Sequence, residues 1–340
     1  GQHIQYYIAR DLVLPVDDLL QELRAVPGGI FESVISQAQY NGRIWALPLE
    51  IDVAPLHVRT DLLKQAGLDL PQTWDELREA AKKVQNPPFV YGFGLALGRS
   101  NDAESNLRNI IWSFGGQEFA EDGRTVVFDS PETRAAFQFV ADMFKKDGTI
   151  PRSALTWDDS GNNRAYQGGQ AAFVINPGSI YYYLQENDPE LLRNTAMIPI
   201  PKGPGPKGRR GGEIGAWVWA ISRQTKNPEL AKDFLRYFYE PSRYQKIIES
   251  VGGRWVPIYR AQFETPFWKD NPWFQYYAEM AETGILAGHA GPPTPMAAEI
   301  MNSYIVSEAM QKVLVDDWSV EEAVSWAHQR MEEIVRSYQE

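Results

Sequence analysis

Five short apolar runs, at 44–49, 91–97, 170–176, 196–201 and 215–222, constrain this chain more than any other feature. Most are near-continuous rather than alternating, the pattern of strands covered on both faces. Helix-start signals fill the stretches between them. Asp17 and Asp18 precede Leu19, Leu20, Leu23 and Val26, apolar at helical spacing. Thr73-Trp74-Asp75-Glu76 has the order of a capping box, and Leu77, Ala80, Ala81 and Val84 continue its apolar face. Ser130-Pro131 and Asn227-Pro228-Glu229 put Pro in a first turn, where its missing N–H is harmless. The predicted core faces are Ala136, Phe137, Val140 and Phe144 in the first, and Leu230, Phe234, Leu235 and Phe238 in the second. Ser319 with Glu322 opens a last helix, with a predicted stripe of Ala323, Ala327, Ile334 and Tyr338. Strands alternating with helices predict an α/β fold.

Composition narrows the function. The net charge is −11 and Lys and Arg form no long block, which argues against nucleic acid as a partner. There is no Cys, so thiol nucleophiles, thiolate metal sites and disulfides are excluded. His3, His57, His289 and His328 are far apart, and none has zinc-ligand spacing, so no metal is expected. No P-loop, H-E-x-x-H or G-x-S-x-G motif is present, and no cofactor is expected. No apolar run reaches the roughly 18 residues of a membrane span. The segment 202–212, KGPGPKGRRGG, reads as a solvated loop between lobes whose basic residues could instead meet an anionic ligand.

Three stretches carry a family resemblance. GRIWALPLEIDVAPLHVRTDLLKQAGLDLPQTWDEL begins at Gly42. Phe114-Gly115-Gly116, Asp129-Ser130-Pro131-Glu132 and Tyr166-Gln167-Gly168-Gly169-Gln170-Ala171-Ala172-Phe173 form a second set. WAISRQTKNPELAKDFL from Trp219, with GGRWVP from Gly252 and Ser319-Val320-Glu321-Glu322-Ala323, forms a third. Together, and in this order, they resemble the solute-binding proteins of ABC sugar importers, of the maltose-binding type. The resemblance implies a two-lobed type II periplasmic-binding-protein fold with the ligand in the interlobe cleft. It also implies a protein outside the cytoplasm, periplasmic or extracellular and either free or held to a membrane as a lipoprotein. It would act as a monomer, bind a sugar or another polar solute, and deliver it to the membrane subunits of an ABC transporter. The opening strand, helix and second strand of the family have no counterpart here, so the first lobe is expected to be incomplete. The expected division is residues 1–51 and 216–267 in lobe 1, and 52–215 and 268–340 in lobe 2, with crossings near Glu50, Gly215 and Phe267.

A sugar needs carboxylates, amides and Arg for its hydroxyls and an aromatic plane for its ring. Asp52 and Glu50 follow Pro48 on one strand face. The resemblance aligns Asp52 with a sugar-binding carboxylate. Trp217 follows the second crossing and shares a strand face with Trp219, which reads as core. Trp157 and Asp158 lie in a polar loop, TWDDSGNN, and Arg254 and Trp255 in GGRWVP, which resembles a cleft-facing family loop. Asn302, with Ser303, and the run Glu104, Ser105, Asn106 are further candidates.

Two alternatives stand beside this reading. Tyr181-Tyr182-Tyr183 could place Tyr181 in a sugar cleft, or could supply phenolate ligands as in ferric-ion-binding relatives of the same fold. The pairs Asp158/Asp159 and Glu50/Asp52 could serve a carboxylate-dependent glycoside hydrolase. Acidic pairs are common in a chain with 44 Asp plus Glu, and the expectation is a binder, not an enzyme.

Overall fold

A computed structural model describes residues 3–210 and 212–338. Its strands, in chain order, are β1 Val13–Leu14, β2 Gln39–Tyr40, β3 Arg43–Ile44, β4 Leu47–Pro48, β5 Asp52–Val53 and β6 Leu56–Arg59. Then come β7 Tyr91–Phe93, β8 Ala171–Ile175, β9 Thr195–Ile198, β10 Ile214–Gly215, β11 Val218–Trp219 and β12 Ile221–Ser222. Among the described residues the largest sheet is four-stranded, in the order β7-β8-β6-β9, with β7 parallel to β8 and β6 antiparallel to both its neighbours. Every residue of β8 and β9 is buried, which explains why these runs read as unbroken apolar stretches.

Helix starts follow local chemistry. Thr73 accepts from the Glu76 N–H at 3.2 Å while Glu76 accepts from the Thr73 N–H at 3.2 Å, completing the capping box of the helix Trp74–Val84. Ser319 and Glu322 repeat it for Val320–Ser337, and Ser130 caps Pro131–Lys145. Each such cap contributes about 1 kcal/mol.

Two large apolar cores result. One gathers β6 and β8 with Trp74, Trp112, Phe137, Ile285, Met310 and Met331. The other gathers Leu19, Leu20, Leu47, Ile51, Val53, Ile214, Leu235, Tyr244 and Trp268. Trp268, Phe274, Tyr277, Met280 and Ala281 belong to this second core, whereas Ile285 belongs to the first. We propose on this ground that the third crossing lies at Gly284 rather than near Phe267, and that the first falls between Val53 and Ala54.

Two predicted helix faces need correction. In Pro228–Tyr239 the buried residues are Leu235, Phe238 and Tyr239, while Leu230 and Phe234 are exposed. In Val320–Ser337 the buried stripe is Ala323, Val324, Ala327, Met331 and Val335, so Ile334 sits at its margin and Tyr338 is exposed. In both, the apolar residues span more of the helix than one packing neighbour covers, and the pattern alone does not choose the inner edge. No helix among the described residues is long and apolar enough to cross a membrane.

Candidate functional site

Three passages between the cores lie side by side. β5 pairs antiparallel with β10, setting Asp52 opposite Gly215 and Val53 opposite Ile214. Glu213 forms a parallel bridge with Ile285, whose N–H donates to the Gly212 carbonyl at 3.0 Å. Gly284 lets this third passage close in, since a Cβ there would stand 2.0 Å from Ile214 Cγ2. One step further, β4 pairs with β11, Leu47 opposite Trp219. The segments around Glu50 and Gly215 are thus neighbours.

Glu50 braces this junction. It is buried, and its Oε1 accepts the Trp217 N–H at 2.9 Å. Burial, reinforced by the charge of Asp52, holds its carboxyl well above the usual range. It does not line the cavity beside it, so the strand brings Glu50 and Asp52 together but gives them different surroundings.

That cavity, of about 560 Å³, opens between the passages and the flanking helices. Its volume falls within the usual range for small-molecule sites, about 300–1,000 Å³. One wall carries Trp217, whose side chain is 65% exposed, with Ala216, Val218 and Tyr7. The floor is Asp52, Ala54, Glu213 and Gly215. It is lined as well by the start of the helix Asn101–Ser113, with Asn101, Asp102, Ser105 and Asn106, and by Met301 and Asn302.

The carboxylates here are poised by burial. Asp52 is raised to about 6, by burial first and by the charge of Glu213, with Arg254 opposing. Asp102 is raised to about 7, by burial first and by the charges of Asp159, Asp52 and Asp158. The amides of Asn162 and Asn176 donate to Asp102 Oδ2 at 2.8 and 3.2 Å, which holds its side chain in one place. Among the described residues, no Lys, Arg or His side chain lines the cavity.

Of the sequence candidates, Asp52, Trp217, Asn302, Ser105 and Asn106 line the cavity. The others lie elsewhere. Trp157 packs between two apolar clusters, because Gly161 and Gly98 leave room for it. Asp158 is exposed and pairs with Arg164 at 2.8 Å. Trp255 packs on the core that holds Leu47 and Tyr244. Arg254 is exposed in the turn against Gly178, outside the cavity lining, and acts on Asp52 through its charge. Tyr181 stacks edge-on to Phe274, its hydroxyl accepts from Asn271 Nδ2 at 2.8 Å, and it is not among the residues lining the cavity. Glu104 is buried, capping the helix Ile305–Leu314 through the Val306 and Ser307 N–H groups. The basic loop also turns away: Lys207 pairs with Glu132, Arg209 reaches the Trp112 carbonyl and His289, and Arg210 meets Gln72.

The residues that sequence reasoning missed are Asp102, Asn101 and Glu213. A signal for the first two existed. Ser100-Asn101-Asp102 follows the predicted 91–97 run and starts a helix, and in α/β folds ligands gather beyond the carboxyl ends of strands.

Comparison with known proteins agrees with this architecture. Residues 1–243 match the family of bacterial extracellular solute-binding proteins. A probable ABC transporter-binding protein of Deinococcus radiodurans is 28% identical over 61% of this chain and 50% of its own length. An arabinooligosaccharide-binding protein of Bacillus subtilis is 25% identical over 71% of this chain and 54% of its own. The chain thus spans about half the length of these curated relatives. Among solved structures, a solute-binding protein from Thermotoga lettingae bound to α-D-tagatose superposes with TM-score 0.87 at 21% identity, over 98% of this chain and 83% of that one. The maltose-bound MalE3 of T. maritima gives 0.83 at 24% identity, over 97% and 82%. These likenesses establish the two-lobed type II periplasmic-binding-protein fold, and by the match over residues 1–243 the chain belongs to the bacterial extracellular solute-binding proteins.

Proposed function

We propose that this protein binds a sugar or oligosaccharide outside the cytoplasm and delivers it to the membrane subunits of an ABC transporter, with closure about the junction of β5, β10 and Gly284. The observation that carries the reading is the exposed face of Trp217 standing in one cavity with Asp52, Asp102, Asn101 and Asn106. An aromatic plane suits the apolar face of a pyranose, and carboxylates and amides suit its hydroxyls. Relatives that bind arabinooligosaccharides and neighbours holding tagatose or maltose support the same class.

The geometry suits a closing mechanism. Trp217 belongs to one side of the junction and Asp102 to the other. A solute that touches both stabilises the closed form by the contacts that form only there, which is the differential affinity a conformational shift requires. The passages are two-residue ladders and short bridges, so a hinge rotation disturbs few backbone hydrogen bonds.

Native mass spectrometry of the purified protein, followed by fluorescence titration with neutral mono- and disaccharides, tests the reading. A carbohydrate adduct, or a saturable change in tryptophan emission with at least one sugar, is expected. Absence of both across the panel would overturn it.

A further inference from the structure

Resting on the reading of this cavity as a solute site, we propose that Asn162 and Asn176 are its positioning residues. They hold Asp102 by one carboxylate oxygen, Oδ2, and leave Oδ1 to a solute hydroxyl. The polar loop TWDDSGNN thus reaches the site through an asparagine rather than through Trp157 or Asp158. Asn162 lies in the first turn of the helix Gly161–Gln167 and is fully buried. Asn176 follows β8 directly, just before the cavity residue Pro177, and is buried too.

Buried amides are costly unless their N–H groups find acceptors. Asn162 Nδ2 donates to Asp102 Oδ2 at 2.8 Å and to the Ile175 carbonyl at 3.2 Å, while its Oδ1 accepts the Asn163 N–H at 2.8 Å. Both hydrogens and the oxygen are committed, so the amide has one orientation. Asn176 Nδ2 donates to Asp102 Oδ2 at 3.2 Å and to Asn163 Oδ1 at 2.7 Å, while its Oδ1 accepts from Ser179 Oγ at 2.7 Å. Asn163 Nδ2 closes the circuit on Ser179 Oγ at 3.1 Å. The backbone is held as well, since Asp159 Oδ1 accepts the Asp102 N–H at 3.1 Å.

Nothing in this framework requires a carboxylate at 102. The Ile175 carbonyl also receives Asn106 Nδ2 at 3.3 Å, and the circuit of Asn163, Asn176 and Ser179 closes without Asp102. One N–H of each buried asparagine remains, and both go to the same Asp102 oxygen. A carboxylate anchored in this way has lost its rotamer freedom before solute arrives, so binding has less to order. It also fixes where a solute hydroxyl must come, which is how a polar wall distinguishes sugars that differ at one carbon.

The groups facing Asp102 are Asp158 and Asp159 on the turn before Gly161, Asp52 on β5, Glu213 entering β10, and Tyr7 on the helix His3–Ala9. Burial first, and the three Asp charges, raise its carboxyl, and the Asn162 hydrogen bond opposes them. Loss of that amide should therefore move the Asp102 titration upward from about 7.

Carbon-detected NMR of the Asp102 carboxyl, assigned by its loss in Asp102→Ala, provides one test. Calorimetry at pH 8 with neutral mono- and disaccharides, D-tagatose, maltose and lactose among them, provides the other. In Asn162→Ala the midpoint should rise, and the dissociation constant of a sugar that the parent binds should increase about fivefold to tenfold. That increase should disappear when Asn162→Ala is combined with Asp102→Ala, whereas a general disturbance of the lobe would persist there. Asn176→Ala, which removes the longer bond, should give smaller effects of the same sign, and it stands in if Asn162→Ala does not fold. In the parent itself the side-chain amide signals of Asn162 and Asn176 should titrate with the Asp102 midpoint. Amide signals or a midpoint that do not move, or an affinity loss that persists without the Asp102 carboxyl, would overturn the inference and leave the sugar-binding reading standing. If the parent binds no carbohydrate of the panel, both fall together.

Discussion

The helix Asn101–Ser113 carries acidic residues into two neighbouring regions that are treated in opposite ways. On its inner face Arg108 lies between Glu104, at 3.1 Å, and Glu118, all three fully buried. Glu104 also caps the Val306 and Ser307 N–H groups, and Glu118 accepts the Gly288 N–H at 2.8 Å. Burial alone would lower the Arg108 pKa, but the Glu118, Glu104 and Glu213 charges outweigh it and raise it. At the start of the same helix Asp102 joins Asp52 at the cavity, and burial raises both carboxyls. The difference is instructive because isolated buried charge is costly. Where the fold supplies the counter-charge, the cluster serves architecture. At the cavity, amides rather than a cation hold Asp102, through Asn162 and Asn176.

The comparison can be broken first at Arg108. Arg108→Met strands two buried carboxylates, and loss of one partner of such a cluster costs about 3–5 kcal/mol. Urea denaturation should show a loss of that size, and a loss under 1 kcal/mol would mean the network is not what holds this helix. Next comes Asp52→Asn. Charge-assisted bonds net about 1.5–3 kcal/mol, so the dissociation constant for a bound solute should rise roughly tenfold to a hundredfold, without loss of stability in the unliganded protein. An unchanged constant by calorimetry would remove Asp52 from the site.

Trp217→Ala sharpens the contrast among tryptophans. It should weaken binding by about 1–3 kcal/mol while leaving the melting temperature nearly unchanged, because its ring is exposed. Trp255→Ala and Trp157→Ala should do the reverse, lowering stability with little effect on affinity, since both rings pack against apolar clusters. Matching affinity losses in all three would dissolve the distinction.

The smallest effect is the pH dependence of stability. Asp52 and Asp102 ionise at about 6 and 7 in the folded chain, against 3.8 without the fold, so the folded state holds extra protons between those values. Their contribution is complete below pH ~4 and is lost as pH rises towards 7. Asp102→Asn, which keeps an oxygen for the Asn162 amide, should flatten that decline, by an amount that the partial exposure of the side chain reduces. Parallel pH profiles of variant and parent in thermal denaturation would contradict the assignment.

Much of the fold was legible because its signals are local. Thr73 with Glu76 and Ser319 with Glu322 state their helix starts in four residues, and buried β8 reads as one apolar run. The run 215–222 was seen as a single strand, yet it forms β10, β11 and β12, because each short piece finds a different partner. Asp52 and Trp217 were legible through their place beside the crossings. Asp102 and Glu213 were not, since what distinguishes them from the chain's other acidic residues is the cavity they share, which joins segments more than 100 positions apart. Trp157 and Trp255 misled for the complementary reason. A Trp in a polar loop looks exposed until glycines such as Gly98 and Gly161 are seen to make room for it.

The central claim, that the cavity beside the crossing passages is where solute binds, is tested most directly by fluorescence titration of the parent protein and Trp217→Phe side by side, using the carbohydrate found by mass spectrometry. Trp217 is the tryptophan that lines the cavity. A saturable emission change in the parent that is largely lost in the variant, while calorimetry still detects binding to both, is the predicted result. The same emission change in both proteins would contradict the account, because the signal would then come from a tryptophan outside the cavity.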